Sequence, residues 1–389
     1  MYADRLAKLH ASPNQGVIVL AGGGASALAQ LLGASGASGT LLEASVPYSA
    51  AALKDFLGQA PLSSVSAETA RSMAAVAFQR ANALDPHATE RNFGLSITAA
   101  LTTNRARRGA DRAYIALHCQ QVSYLRSIEF TKPERKAEDE APPATRDQQE
   151  AVLCHEILGL LSQHMKIEWP DAEFSVVYES RTDWVQAPLD WQQVMVKAKN
   201  SNQSGSAGNC LFPGAFNPVH QGHLLMKTVA EQLTGLTVDF ELSIHNVDKP
   251  CLDYFSIKDR TQQLRAHGNT VLTNAPTFIE KARIFPHATF VIGIDTLLRI
   301  DQSQYYGSDS RRDAALAELT ALGIQFLVFG RLNEGAFLGL DQVEISAGLA
   351  ARCKMVPEAI FRQDISSTTL RANAAQAADA ADATRPGRL

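Results

Sequence analysis

The sequence predicts an α/β fold built from two successive α/β domains. Apolar strand-like runs alternate with helical segments along the chain, and 389 residues are too many for one ordinary core. A polar segment of small residues, 199–209, divides the chain like a linker. We therefore predict domains at 1–165 and 209–373, a connecting segment at 166–208, and a disordered low-complexity tail at 374–389.

The N-terminal half contains alternating strands and helices. GVIVLAGGG, which begins at Gly16, predicts a buried strand that enters a glycine turn, and ALAQLLG after it has helical spacing. SAETARSMAAVAFQRA predicts a helix capped by Ser66. FGLSITAAL and RAYIALHC predict strands, and AVLCHEILGLLSQHM, from Ala151, predicts an amphipathic helix. The charged, proline-containing segment KPERKAEDEAPPATRDQQ, from Lys132, predicts a loop.

The C-terminal half repeats this alternation. NCLFPGAFNP predicts a strand and a turn, HLLMKTVAEQL predicts a helix, and VDFELSI predicts a strand. A helix over residues 277–285 precedes the strand ATFVIGID, and the helix DAALAELTALG precedes the strand IQFLVFGR. We expect this half to form a parallel sheet covered by helices.

The composition argues against several classes of protein. No apolar run approaches the roughly 20 residues of a membrane span, and the N-terminus lacks the pattern of a secretory signal. The five cysteines are scattered and form no CxxC pair, so the sequence indicates neither a disulfide framework nor a zinc site. The net charge of −4 comes without a basic stripe, which argues against nucleic-acid binding. We expect a cytoplasmic protein.

The segment FNPVHQGH is the first candidate site. The order of strand, turn and helix places His220 and His223 at a helix N-terminus, where free N–H groups and about half a positive charge attract anions. Gly222 allows the backbone to approach a ligand closely. The pattern therefore predicts a phosphate site; an ordinary helix cap with two surface histidines is the alternative.

The segment DISSTTLRA is the second candidate site. Ser366, Ser367 and Thr368 would cap a short helix and direct hydroxyl and N–H groups towards the space at its N-terminus. Arg371 follows Thr368 by three residues, so it shares that helix face and can bind phosphate with its guanidinium group. An ordinary cap rich in serine and threonine is the alternative.

Together, GAFNPVHQGH, VIGIDT, VFGR and ISSTTLR, in this order, resemble the nucleotidyltransferase superfamily marked by (H/T)xGH and ISSTxxR. Within that superfamily they are most similar to the nicotinate/nicotinamide mononucleotide adenylyltransferases, over roughly residues 210–372. The resemblance implies a Rossmann-like domain with a parallel sheet. It also implies that the phosphate of a mononucleotide attacks the α-phosphorus of ATP, that pyrophosphate leaves, and that Mg²⁺ bridges the phosphates.

The resemblance also assigns residues to roles. The implied catalytic residues are His220, His223 and Arg371. The implied nucleotide-binding residues are Gly214, Ala215, Phe216, Gly222, Gly293, Asp295, Arg331, Ile365, Ser366, Ser367 and Thr368.

Two residues are candidates for binding the acceptor, Lys249 in HNVDKP and Tyr305 in DQSQYYG. A solvated loop lysine is the alternative for Lys249. DQSQYYG stands where many bacterial members of the family have a tryptophan near the pyridine ring, which leaves the acceptor open. Phe278 and Lys281 are expected to be a packing residue and a surface residue.

The N-terminal half resembles the C-terminal domain of the CinA family, typically a nicotinamide mononucleotide deamidase, and this implies a three-layer domain. The family motif ESCTGG aligns with AGGGAS, so its presumed nucleophilic serine falls on Gly22 and its threonine on Gly24. TGIAGP aligns with TAALTT, whereas Tyr48 and Lys54 match the family. We expect a deamidase-like domain without activity that serves in homo-oligomerisation or regulation. Ser26 is the alternative nucleophile.

The leading hypothesis is an ATP-dependent adenylyltransferase that acts on nicotinamide or nicotinic acid mononucleotide. A second hypothesis keeps the transfer chemistry but changes the substrates, to a phosphopantetheine-like acceptor or to CTP. A third is a non-catalytic nucleotide sensor or scaffold. The intact HxGH and ISSTTLR motifs favour an enzyme.

Overall fold

The structure is a computed structural model that describes residues 2–103, 109–131, 144–203, 209–247, 249–333 and 336–362. These residues form two compact units. The first contains residues 2–188 and 249–255, and the second contains Leu189–Val247 and residues 256–362. The predicted α/β class is confirmed, because each unit contains a six-stranded sheet with helices. In the described residues, no helix is both long and apolar enough to span a membrane.

The first unit is built on a mixed sheet with strand order β2-β1-β3-β4-β5-β6. Strands β2, β1 and β3 are parallel, and β3 to β6 are antiparallel neighbours. Its strands are β1 (Gln15–Ala21), β2 (Leu41–Ser45), β3 (Asn92–Ala100), β4 (Asp111–Cys119), β5 (Val122–Phe130) and β6 (Tyr178–Gln186). Its helices are α1 (Ala3–Ala11), α2 (Ala25–Gly33), α3 (Ala50–Leu57), α4 (Ala67–Leu84) and α5 (Arg146–His164).

Small residues allow α4 to lie directly on the first sheet. Ala70, Ala74, Ala77 and Ala81 recur at helical spacing and are all fully buried. A Cβ atom at Gly94 of β3 would lie 2.1 Å from the carbonyl oxygen of Ala74, so only glycine fits there. The predicted cap is confirmed as well: the Ser66 hydroxyl accepts the N–H of Thr69 at 3.1 Å.

Helix α5 begins earlier than the sequence predicted. The expected loop extended through residue 149, but the helix starts at Arg146, and residues 132–143 lie outside the described part of the chain. A capping box explains the start. The Thr145 hydroxyl accepts the N–H of Gln148 at 3.2 Å, and the Gln148 side chain accepts the N–H of Thr145 at 2.8 Å.

The second unit contains an all-parallel sheet with strand order β14-β11-β10-β7-β8-β9. A short antiparallel pair, β12 and β13, follows β11. Its strands are β7 (Cys210–Pro213), β8 (Val238–Ser243), β9 (Thr270–Thr273), β10 (Thr289–Gly293), β11 (Gln325–Phe329), β12 (Arg331–Asn333), β13 (Ala336–Leu338) and β14 (Cys353–Val356). Its helices are α6 (Leu189–Met195), α7 (Gln221–Thr234), α8 (Tyr254–Leu264), α9 (Phe278–Ile284), α10 (Ile294–Ile300), α11 (Asp309–Ala321) and α12 (Ala347–Ala350); α8 starts in residues of the first unit.

Helices cover both faces of this second sheet. Phe290 and Ile292 of β10 pack into one core with α9, α10 and α11, whereas Val291 between them packs into the other core with α7. This alternation follows the period of two residues in a strand. Because both faces are buried there, the central strands β10 and β11 consist mainly of apolar residues, as expected for a parallel sheet.

The segment predicted to connect the domains contains regular structure. Strand β6 adds an edge to the first sheet by pairing with β5, and α6 belongs to the second unit. The beginning of the predicted linker bonds to β9: Asn202 exchanges hydrogen bonds with Leu272, and Asn200 accepts the N–H of Asn274 at 3.1 Å. The free backbone groups of an edge strand provide the partners for this stretch.

Lys281 was expected at the surface, and this expectation is wrong. The residue is only 4% exposed, and its ammonium group donates to a Glu241 carboxylate oxygen at 2.8 Å and to the Ala275 carbonyl at 2.7 Å. Glu241 also accepts the hydroxyl of Thr273. The partner lies 40 residues away in sequence, so local pattern alone did not indicate the pair.

We predict that Lys281→Met destabilises the protein by about 3–5 kcal/mol, because Glu241 then remains buried without its cation. The double variant Glu241→Gln/Lys281→Met should recover much of that loss. Urea unfolding measures both, and Lys354→Met, at an exposed lysine of β14, is the matched control. Equal stabilities of Lys281→Met and the control would contradict the prediction.

Candidate functional site

The topology of the second sheet predicts a crevice at the carboxyl ends of β7 and β10, where the strand order reverses. From β7 the chain winds outward through β8 and β9, and it then returns to β10 on the other side of β7. Such a reversal of strand order is the place where open α/β sheets bind ligands. Gly214 directly follows β7, and Gly293 ends β10, so two of the predicted motifs flank this crevice.

A tightly packed turn follows β7. The N–H of Gly214 donates to the Glu241 carbonyl at 3.1 Å, and a Cβ atom at Gly214 would lie 2.5 Å from the ring of Phe216. Phe216 is 1% exposed and has a φ of 45°, which is rare for a bulky residue. Its ring meets that of His223 edge-on, with centroids 5.1 Å apart. The buried ring of Phe216 therefore packs against the ring of His223.

Helix α8 holds the same turn through two side chains. The Arg260 guanidinium donates to the Ala215 carbonyl at 3.1 Å, and the Gln263 side chain accepts the N–H of Val219 at 3.2 Å. Neither residue was singled out from the sequence, which indicated no helix here. Arg260 and Gln263 are three residues apart and thus share one face of α8, the signal that could have identified them.

His220 and His223 stack on each other at the start of α7. Their ring centroids lie 3.6 Å apart with an interplanar angle of 21°. The N–H of His220 donates to Nδ1 of His223 at 3.3 Å, which places the proton of a neutral His223 on Nε2. Nδ1 of His220 is buried and has no hydrogen-bond partner in the described residues.

Burial keeps both imidazoles neutral. Desolvation, followed by the neighbouring His220, lowers the pKa of His223 to about 3. Desolvation also lowers the pKa of His220. Two neutral rings can stack at van der Waals distance where two imidazolium ions would repel each other. They therefore present N–H donors, beside the free N–H groups of the α7 N-terminus and the buried Gly222.

Asp295 and Arg331 meet near the end of β10. The guanidinium Nε lies 3.0 Å from a carboxylate oxygen of Asp295, and both side chains are about half exposed. A Cβ atom at Gly293 would meet nothing within 4 Å, so the end of β10 faces open space. The structure thus brings VIGIDT and VFGR together, as their resemblance implied.

The remaining candidate residues belong to other segments or fall outside the described part of the chain. Lys249 is in the segment 249–255 of the first unit. Tyr305 ends a short 3-10 helix, and the hydroxyl of its neighbour Tyr306 is bonded to the Ile300 carbonyl at 2.9 Å. The predictions for ISSTTLR fall outside the described residues: Ile365, Ser366, Ser367, Thr368 and Arg371.

Comparison with known proteins agrees with the motifs of this unit. Residues 211–373 match the family model described as Cytidylyltransferase-like. The C-terminal half is therefore similar to nucleotidyltransferases, as predicted. The match supports a nucleotidyltransferase activity and does not specify its substrates. No curated protein matches the chain.

Two solved structures are similar to part of the chain. One is a CinA (competence-damaged protein) superfamily protein from Escherichia coli, with 17% identity and a TM-score of 0.30, covering 42% of this chain and 86% of that one. The other is the competence/damage inducible protein CihA from Agrobacterium tumefaciens, with 16% identity and a TM-score of 0.26, covering 42% of this chain and 89% of that one.

In the first unit, the turn between β1 and α2 is occupied by a carboxylate of the protein itself. Glu150 of α5 accepts the N–H of Gly24 at 3.0 Å and the N–H of Ser26 at 3.1 Å. The Ser26 hydroxyl also donates to Glu150, at 3.3 Å. The alternative nucleophile is thus engaged by an acidic side chain at this turn.

The same turn has no room for a side chain at position 22. Gly22 has a φ of 89°, and a Cβ atom there would lie 2.1 Å from the carbonyl oxygen of Ala99. A Cβ atom at Gly24 would lie 2.8 Å from Ile157. The backbone at position 22 therefore strongly disfavours any side chain, including the serine that the motif ESCTGG would place there.

We predict that Gly22→Ser costs about 2 kcal/mol or more of stability and introduces no deamidase activity, because the new Cβ clashes with backbone and φ is positive. The matched control is Gly33→Ser, because a Cβ atom at Gly33 meets nothing within 4 Å. Urea unfolding of the two variants checks the difference. A Gly22→Ser protein as stable as the control would refute this account of the turn.

We predict that His223 makes stability depend on pH. Its folded-state pKa is lowered, so this contribution is complete above the unfolded pKa of about 6.5 and declines as the pH falls towards 3. The slope should be about 1 kcal/mol per pH unit, below the full 1.4 because the ring is partly exposed. The difference between wild type and His223→Gln in urea unfolding at pH 7 and pH 5 measures it. Parallel pH profiles for the two proteins would contradict the assignment.

Proposed function

We propose that the C-terminal half transfers AMP from ATP to nicotinamide or nicotinic acid mononucleotide and releases pyrophosphate. The observation that carries this proposal is the stacked, neutral pair His220 and His223 at the N-terminus of α7, beside the crevice of a parallel sheet. The motif order from GAFNPVHQGH to ISSTTLR supports the choice of substrates through family resemblance.

The reaction needs no nucleophile from the protein. An oxygen of the mononucleotide phosphate forms a bond to the α-phosphorus of ATP, the bond from that phosphorus to the β-bridging oxygen breaks, and pyrophosphate leaves with the electron pair. The protein holds the reactants in line and stabilises the charge that develops on the phosphate oxygens.

The site residues within the described part of the chain contribute to the proposed reaction through their position or their charge. His220 and His223 donate N–H groups to phosphate oxygens together with the backbone N–H groups of α7. Arg260 acts indirectly, because it fixes the carbonyl of Ala215 in the turn below them. A bound triphosphate would favour the charged imidazoles and so oppose the effect of burial on their pKa values.

Mg²⁺ would enter with the triphosphate. In the described residues there is no group of three or more His, Cys, Asp or Glu side chains that could hold a metal ion. In nucleotide sites, Mg²⁺ usually keeps several water ligands and is bound by substrate phosphates together with one or two carboxylates. When bound, it would neutralise negative charge on the phosphates.

The description of the matching family model supports a second transfer reaction as an alternative. A cytidylyltransferase-like domain can use CTP in place of ATP, and no tryptophan follows GxD to favour a pyridine ring. A phosphopantetheine-like acceptor is the other variant of the same chemistry. A nucleotide sensor without turnover would keep the phosphate site and lack any acceptor.

We predict pyrophosphate release only when ATP, Mg²⁺ and one pyridine mononucleotide are all present. The assay offers ATP and CTP in turn, each with nicotinamide mononucleotide, nicotinic acid mononucleotide or phosphopantetheine. His223→Ala and His220→Ala should each lower turnover by about 10²-fold or more, because each removes a donor to the developing charge.

Lys354→Ala, which alters an exposed lysine of β14, is the matched control and should keep wild-type turnover. If turnover occurs only with CTP as the nucleotide, or only with phosphopantetheine as the acceptor, the proposed substrates are wrong. ATP binding with no turnover on any acceptor would identify a sensor.

A further inference from the structure

The second unit has another cleft, which the transfer reaction does not use. Its volume is about 400 Å³, within the range of small-molecule sites. Helix α8 forms one wall, and residues from α6, from the stretch before β9 and from β9 form the other. The lining residues are Trp191, Asn202, Lys258, Thr261, Gln262, Arg265, Gly268, Asn269, Thr270 and Leu272.

The face of α8 that lines this cleft is opposite the face that holds the phosphate turn. Lys258, Thr261 and Gln262 of α8, and Arg265 directly after the helix, recur at the spacing of one helix face. Arg260 and Gln263, which bond to the turn after β7, lie about half a rotation away at 3.6 residues per turn. The cleft and the candidate active site therefore lie on different sides of one helix.

Two cations of the cleft lack an acidic partner. In the described part of the chain, no carboxylate pairs with the Lys258 ammonium or the Arg265 guanidinium, and both side chains are exposed at the cleft. The carboxylate of Asp190 interacts instead with another lining residue, because it accepts the side-chain N–H of Asn202 at 3.4 Å. Cations on flexible side chains seven residues apart can converge on one phosphate group.

The opposite wall supplies groups of a different kind. Trp191 contributes a half-buried aromatic ring. The hydroxyl oxygen of Thr270 is buried and has no hydrogen-bond partner in the described residues. An aromatic ring and two cations without an acidic partner together suit a ligand that has a flat ring at one end and a phosphate group at the other.

We propose that this cleft binds a nucleoside phosphate. Its phosphate is held by Lys258 and Arg265, and its base packs against Trp191. The site is separate from the crevice of His220 and His223, so it exists whether or not the C-terminal half catalyses the proposed transfer. It is therefore a second nucleotide site of this unit.

The experiment is a titration of the full-length protein with AMP, followed by tryptophan fluorescence. The chain has three tryptophans, and Trp169 and Trp184 belong to the first unit, so Trp191→Phe isolates the signal from the cleft. We expect saturable quenching in wild type and its loss in Trp191→Phe. Adenosine should bind at least tenfold more weakly than AMP, because it lacks the phosphate that the two cations hold.

The double variant Lys258→Ala/Arg265→Ala should raise the Kd for AMP at least tenfold, measured by calorimetry as well as fluorescence. Arg311→Ala/Lys354→Ala loses the same charge at exposed positions of α11 and β14 and should bind AMP like wild type. Pyrophosphate release by the cleft variants should match wild type, which separates this site from the transfer site.

Four results would overturn the proposal. The first is an absence of quenching in wild type at millimolar AMP. The second is quenching that persists in Trp191→Phe. The third is an equal Kd for AMP in the two double variants. The fourth is equal affinity for adenosine and AMP, which would show that the cations bind no phosphate. A protein without transfer activity that still shows the expected quenching would refute only the transfer reaction.

Discussion

The reversal of strand order between β7 and β10 is the constraint on which the second unit depends. Neighbouring strands whose following segments lead to opposite sides of the sheet leave their carboxyl ends uncovered. The turn after β7 therefore lies at an uncovered end of the sheet. Phe216 occupies the space under this turn at a positive φ, and its buried ring supports His223. The position of Phe216 thus accounts for both the positive φ of the turn and the placement of the His223 imidazole.

Desolvation links this geometry to chemistry. A histidine pair exposed to water would be partly charged near neutral pH, and two adjacent positive charges would separate the rings. Burial lowers both pKa values, so the rings stack and offer N–H groups without repulsion. Arg260 and Gln263 hold the backbone on the other side of the turn, which limits the motion of the whole arrangement.

The sequence predicted those features whose causes are local. The strand, turn and helix around FNPVHQGH follow from adjacent residues, and the Ser66 cap follows from its own helix. Lys281 was misplaced because its burial depends on Glu241, a residue on another element. The start of α5 was missed because a charged, proline-containing stretch runs directly into the Thr145 capping box. Helix α8 was missed, and with it the two side chains that hold the turn, because most of its residues are polar.

The two units contain the same type of turn between a strand and a helix, but its helix end interacts with different groups in each. Both carry a glycine-containing turn from a parallel strand into the N-terminus of a helix, where N–H groups attract negative charge. In the first unit Glu150 meets these N–H groups, and the turn has no space for a side chain at Gly22. In the second unit the residues at the helix start are neutral histidines, which add donors and bring no anion of their own. A carboxylate satisfies the helix end within the protein, whereas the imidazoles leave it able to accept phosphate, and this difference in charge distinguishes the turn of the first unit from the proposed phosphate site of the second.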